Sequence, residues 1–171
     1  MLLKDLLELQ STLFNCVSKE KCYEIYASAL LTSGDAASIK LAASVLPAGS
    51  RDTMASLVSA AAKEYFNSSS SLVDPALKLA ECCLMLIKDE NEEIQKELDL
   101  IAALQILHSF NLDILPIQVR LCEDRMSLIE SCLKASPSAF LKSHKLLQLA
   151  ALLRVAGDDE VARESGVLQL V

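Results

Sequence analysis

Tryptophan is absent from this 171-residue chain, all aromatic residues together make up 4%, and glycine and proline number four each. A sandwich or barrel draws on aromatic and β-branched strands and on frequent glycine and proline turns, so this composition argues against both. Hydrophobic residues nevertheless reach 52%. Leucine and alanine, both strong helix formers, must therefore carry the burial, and the chain is expected to be all-α. Its length suffices for one domain with a real core.

Basic clusters are also missing. The net charge is -7, and residues 73–171 hold 16 acids against 10 bases. Such a chain repels phosphate backbones and has no patch for an anionic membrane surface, so direct nucleic-acid binding is not expected. The six cysteines include no CxxC pair and lie within helical patterns, which reads as buried thiols in a reducing, cytoplasmic compartment. The opening "MLLKDLLELQ" carries charges at positions 4, 5 and 8 and lacks the apolar core of a signal peptide. The most apolar stretch, residues 97–121, contains His108, Asn111, Asp113 and Pro116. One mid-membrane aspartate costs about 3 kcal/mol on insertion scales, so no transmembrane segment is expected.

Catalytic patterns are lacking too: there is no HExxH, no GxSxG and no glycine-rich phosphate loop. Of the two histidines, His144 reads as a partly exposed helix residue and His108 as one that meets the carbonyls of a helix C-terminus. Cys82 and Cys83 point to different sides of a helix and read as packing rather than as a redox pair. The acidic run "KDENEE" at residues 88–93 reads as a solvated loop and helix start. No enzyme activity, cofactor or metal is expected.

What is present is helical periodicity. Leu2, Leu6, Leu9, Leu13 and Cys16 recur at steps of four and three, an amphipathic helix. A second helix over about 19–33 is expected to bury Cys22, Ile25, Tyr26, Ala29 and Leu30 and to stop at Gly34. Asp35 caps a third, running to about Leu46 and stopped by Pro47. Ser50 caps a fourth, to about Phe66, with Met54, Leu57, Val58, Ala61 and Tyr65 inward. Asp74 followed by Pro75 starts a fifth, of about 75–88, and Asn91 caps a sixth that becomes apolar almost all round from Leu100 to Leu107. An irregular "FNLDILPIQV" follows, then a helix of about 124–135, a long one from Ser136–Pro137 to Gly157, and a last one from about Asp158.

Eight or nine such helices, recurring as one hairpin per roughly 35 to 45 residues, predict an α-solenoid of stacked antiparallel hairpins over residues 1–171. The uncapped apolar end suggests a segment cut from a longer array. Most apolar stripes are needed to hold the helices together. Candidates for partner contact are the connector Phe110, Leu112, Ile114, Leu115 and Ile117 and the final edge Leu168, Leu170 and Val171. Folding back into the core is the favoured fate of the connector. A generic helical-repeat adaptor is the alternative function on these grounds.

Three long runs, "KEYFNSSSSLVDPALKLAECCLMLI", "EIQKELDLIAALQILHSFNLDILPIQVRLCEDRMSLIESCLKASPSAF" and "KLLQLAALLRVAGDD", resemble the neuroblastoma-amplified-sequence family of animals. The resemblance covers residues 60–171 strongly and the first helices, including "CYEIY", more weakly. It implies an α-solenoid related to the large subunit of the yeast Dsl tethering complex, without a catalytic site. It further implies a scaffold in an endoplasmic-reticulum tether, with Zeste-White-Ten-type and Tip-type subunits, that captures Golgi-derived vesicles and binds ER SNAREs. A second implied role is in nonsense-mediated mRNA decay, through protein contacts. The family's N-terminal propeller-like part has no counterpart in these residues.

Overall fold

The computed structural model describes residues 2–87, 92–136 and 139–155. The described residues form nine α-helices and two 3-10 turns, without strands. In chain order the helices are α1 Leu2–Thr12, α2 Lys19–Leu31, α3 Ala36–Ala42, α4 Arg51–Ser68, α5 Pro75–Leu84, α6 Glu92–Ser109, α7 Pro116–Leu121, α8 Met126–Ala135 and α9 Ser143–Leu152. The all-α expectation holds.

Local chemistry sets most of the boundaries. The Ser18, Asp35 and Asp74 side chains accept from the backbone N–H of Lys21, Ser38 and Ala76 at 3.2, 2.9 and 2.9 Å, satisfying first-turn donors that helices leave open. Ser50 stands at the N-cap of α4 but makes no such bond. The third helix ends at Ala42, earlier than expected. Pro47 explains the difference, because its ring would collide with the carbonyl four residues back, at position 43, and the chain instead makes a 3-10 turn over Leu46–Ala48. Helix α6 ends with Leu112 N–H donating to Leu107 C=O at 3.2 Å and Asn111 in the left-handed region at φ 61. This is a Schellman cap, and α9 repeats it with Val155 N–H on Ala150 C=O at 3.1 Å and Arg154 at φ 53.

The connector after α6 is not wholly irregular: α7 occupies Pro116–Leu121, starting with proline at its first position, the same device that opens α5. The long helix expected from Pro137 to Gly157 is a 3-10 turn at Ala139–Lys142 followed by the shorter α9. Asn91, Pro137 and the helix expected from Asp158 lie outside the described residues.

Most helices pack on near neighbours in sequence, and α9 also packs back on α6 and α7 on α4. α2, α4 and α6 follow one another, α3 packs on α5, and α8 on α9. This succession is the one that stacked hairpins produce. The Leu100–Leu107 run is a wall covered on more than one side, with Ala103, Leu104 and Leu107 buried and Leu100, Ile101 and Ile106 nearly so. Each large side chain sealed here, such as Phe66, Phe110, Ile39 and Leu84, contributes roughly 1.5 to 3 kcal/mol against chain entropy. The face of α2 differs from expectation. Cys22, Ala27 and Leu31 are buried, while Ile25 is half exposed and Ala29 exposed. Small Ala27 permits close approach by Val45 and Met54, which turns the buried arc toward α4. α1 rests on α2 with none of its residues buried, and Leu2 and Leu13 remain 73% and 70% exposed.

Candidate functional site

A groove of about 920 Å³ opens between α6, the α7–α8 junction and the end of α9. Helical spacing on α6 brings Lys96, Glu97 and Leu100 to one wall. Arg120 comes from the last turn of α7, Glu123 to Met126 from the junction, and Leu152 to Val155 from the Schellman cap of α9. Leu100, Met126, Leu152 and Leu153 give it an aliphatic lining beside cations and carboxylates.

One wall is fixed by a forked ion pair. Arg120 Nη1 and Nη2 donate to Glu97 Oε1 and Oε2 at 2.9 and 2.6 Å, and Glu97 is only 5% exposed. The planar guanidinium also lies 4.6 Å from the centroid of the Phe66 ring of α4. A single side chain on α7 thereby ties α6 and α4 together, through charge-assisted bonds and a cation–π contact. Arg120 Nε is buried without a hydrogen-bond partner among the described residues. At the rim, Arg154 reaches Glu92 and Asp99 at 3.3 and 3.2 Å, and Lys96 reaches Glu92 at 2.8 Å. Lys96, and after it Arg154, hold the Glu92 carboxyl below the usual carboxylate range. The Arg125 side chain, half buried, makes no hydrogen bond or ion pair among the described residues, while its carbonyl accepts from Leu128 N–H at 3.3 Å.

The residues expected to meet partners fall elsewhere. Phe110 is 1% exposed, its ring under the Lys142 ammonium at 5.8 Å, and so is core rather than surface. Leu112 and Ile114 are half buried against the same core, and Ile117 is half buried too, whereas Leu115, at the N-cap of α7, is 42% exposed. Leu168, Leu170 and Val171 lie outside the described residues. His108 and His144 are exposed, on α6 and α9. No cluster of His, Cys, Asp or Glu able to hold a metal occurs among the described residues, and none of their helices is long and apolar enough to cross a membrane.

Sequence reasoning missed the groove. Its ties join residues 23 and 55 positions apart, and the one available signal was a glutamate and an arginine set inside otherwise apolar runs. The groove thus combines aliphatic side chains with charges of both signs.

Comparison with known proteins gives the family. The model of the secretory pathway protein Sec39 family matches residues 5–169. The NBAS subunit of NRZ tethering complex from Homo sapiens is 43% identical over 190 residues, covering 99% of this chain and 8% of that protein. MAG2-interacting protein 2 from Arabidopsis thaliana is 31% identical over 108 residues, covering 63% of this chain and 4% of that protein. The chain thus spans a small fraction of the length of these relatives. No solved structure matches it.

Proposed function

Because the chain belongs to the Sec39 family of secretory pathway proteins, we propose that it is a non-enzymatic scaffold segment of an endoplasmic-reticulum vesicle-tethering complex acting in Golgi-to-ER retrograde transport. The observation that carries this reading is the family match along almost the whole chain, to a relative named as a tethering-complex subunit. The succession of helices packed on near neighbours supports it physically, since such a stack resists bending and holds what it binds at a fixed spacing. Zeste-White-Ten-type and Tip-type subunits and ER SNAREs are the partners in this reading. They keep the segment at the cytoplasmic face of the endoplasmic reticulum. Leu115, with exposed Leu121 at the other end of α7, is the part of the expected connector surface left for such contacts. A role in nonsense-mediated mRNA decay would run through protein contacts of the same kind.

The test is retention of purified tether subunits and ER SNAREs by the immobilised chain, with the full-length human relative as positive control. Capture of a tether subunit, weakened by Leu115→Asp with Leu121→Asp, is the expected result. Failure to retain any of them, while the control does, would reduce the segment to a spacer.

A further inference from the structure

The chain carries 23 acidic residues, yet none falls between Glu130 and Asp158. This acid-free run builds the 3-10 turn at Ala139–Lys142 and α9. Leu146, Leu149 and Ala150 form the buried face of α9. On the opposite face Leu141, His144, Leu147 and Ala151 recur three or four positions apart, and all four are exposed. Phe140, Leu141 and Leu147 remain 44%, 72% and 40% exposed. Two lysines stand beside them. Lys142 Nζ lies 5.8 Å from the centroid of the Phe110 ring, and Lys145 Nζ donates to Ser109 Oγ at 3.4 Å, next in the chain to exposed His108. Neither lysine meets a carboxylate among the described residues: exposed Asp113, in the connector after α6, pairs with neither, and Glu130 holds Lys134. The negative end of the α6 dipole favours cations at this corner, but it gives no cover to the apolar side chains.

We infer that this outer face of α9 docks an acidic amphipathic helix of a partner protein, with its aliphatic side chains on Leu141 and Leu147 and its carboxylates toward Lys142 and Lys145. Apolar anchors at helical spacing are what a second helix packs on. Cations without carboxylates beside those anchors favour acids on the incoming helix. A second copy of this chain fits less well, because a two-fold contact sets these lysines against their own equivalents, where like charges repel. A membrane fits less well too: clusters of roughly four to eight basic residues hold a protein to anionic lipid, and this corner offers only Lys142 and Lys145 with His108 and His144 in a chain of net charge -7. The face lies on a different helix from Leu115 and Leu121, and the inference stands whether or not the partner is a tether subunit.

The test follows the fluorescence anisotropy of a labelled synthetic helix, with leucine on one stripe and glutamate beside it, as the full 171-residue chain is added at low salt. This peptide should bind, and its counterpart with lysine in place of glutamate should not. Affinity should fall about tenfold with Lys142→Glu and Lys145→Glu together, the loss of two exposed ion pairs. Lys142→Gln with Lys145→Gln replaces that variant should it fail to fold. Leu141→Asp, at a position already 72% exposed, removes an anchor without touching the core and should weaken binding as well. With His144→p-benzoylphenylalanine, irradiation should join position 144 to the glutamate peptide. No binding, equal binding of both peptides, or binding that these substitutions leave unchanged overturns the proposal. So does a preference for phosphatidylserine vesicles, or a cross-link from position 144 to a second copy or to residues 156–171 in place of the peptide.

Discussion

The forked pair between Glu97 and Arg120 makes a quantitative prediction. Arg120→Met keeps most of the side chain's packing volume but removes the fork, leaving a carboxylate that is 5% exposed without its counter-charge. Breaking a buried pair in this way costs about 3 to 5 kcal/mol. The Arg120 side chain is itself 18% exposed, so water softens the penalty and the lower figure, about 3 kcal/mol, is expected, including the lost contact with Phe66. For a chain of this size each kcal/mol moves Tm by about 2 to 4 °C, so Tm should fall by about 6 to 12 °C. Glu97→Leu alone strands a cation that can partly reach solvent, and should cost about 1 to 2 kcal/mol. The double variant removes both charges and should lie within about 1 kcal/mol of the parent, because an apolar pair of similar volume replaces an ion pair at little net cost. Urea unfolding of the four proteins gives the coupling energy, expected at about 3 to 5 kcal/mol. Additive single and double effects would refute the idea that these side chains act as one unit.

The remaining expectations concern the backbone, the thiols and local opening. Tyr65 Oη accepts from Gly34 N–H at 2.8 Å and donates to Leu31 C=O at 2.9 Å, so Tyr65→Phe should cost about 1 to 2 kcal/mol in urea unfolding. Gly34 sits at φ 73 with nothing within 4 Å of an added Cβ. Gly34→Ala should therefore cost about 1 kcal/mol through backbone strain alone, and a neutral result would remove that explanation. Burial pushes the Cys83 thiol up to about 12 and Cys132 up to about 11 from an ordinary 9.0. Both should resist iodoacetamide at pH 8 in the folded chain while exposed Cys16 reacts, as mass spectrometry of the labelled peptides would reveal. The folded chain holds these protons more tightly than the unfolded one. Their contribution is therefore complete below pH 9 and is lost as the pH climbs toward the raised values. Amides of α1, which buries no residue, should exchange with solvent far faster than those of the α6 wall; equal protection would contradict the packing described.

The helices were legible where one residue type enforces a boundary. Asp35, Asp74 with Pro75, and the leucine periodicity of α1 act over three or four residues, so a local reading captures them. Pro47 was read as a stop, yet its reach extends four residues upstream through the ring's clash, and α3 came out short. α7 was overlooked because its six residues carry too few turns for a periodic signal, although Leu115–Pro116 repeats the opening of α5 in weaker form. Which face of α2 is buried depends on where α3 and α4 close over it, and the sequence of α2 alone does not contain that information. The groove was invisible for a related reason. Charges at 97, 120 and 154 become neighbours only after three helices have packed.

In a stack stabilised by contacts between near neighbours, each interface answers mainly for itself, and a short helix between two long ones is the weak joint. α7 has six residues, too few to be stable as an isolated helix. It is held by buried Pro116 and Val119 and by Arg120, which grips α6 through Glu97 and covers Phe66 of α4. The apolar contacts hold α7 against the stack, while the fork sets its rotation, since two parallel N–H bonds to one carboxylate admit one orientation. That rotation also places the junction carrying Glu123 to Met126, and with it one wall of the groove. A polar tie of modest net stability thus has a geometric consequence beyond its energy. The double variant with Glu97→Leu and Arg120→Met is expected to keep the stability of the chain, yet it lacks the constraint that fixes this wall. Amides of α7 and of residues 122–126 should therefore exchange with solvent faster in that background at unchanged Tm, and protection unchanged from the parent would mean that apolar packing alone orients α7.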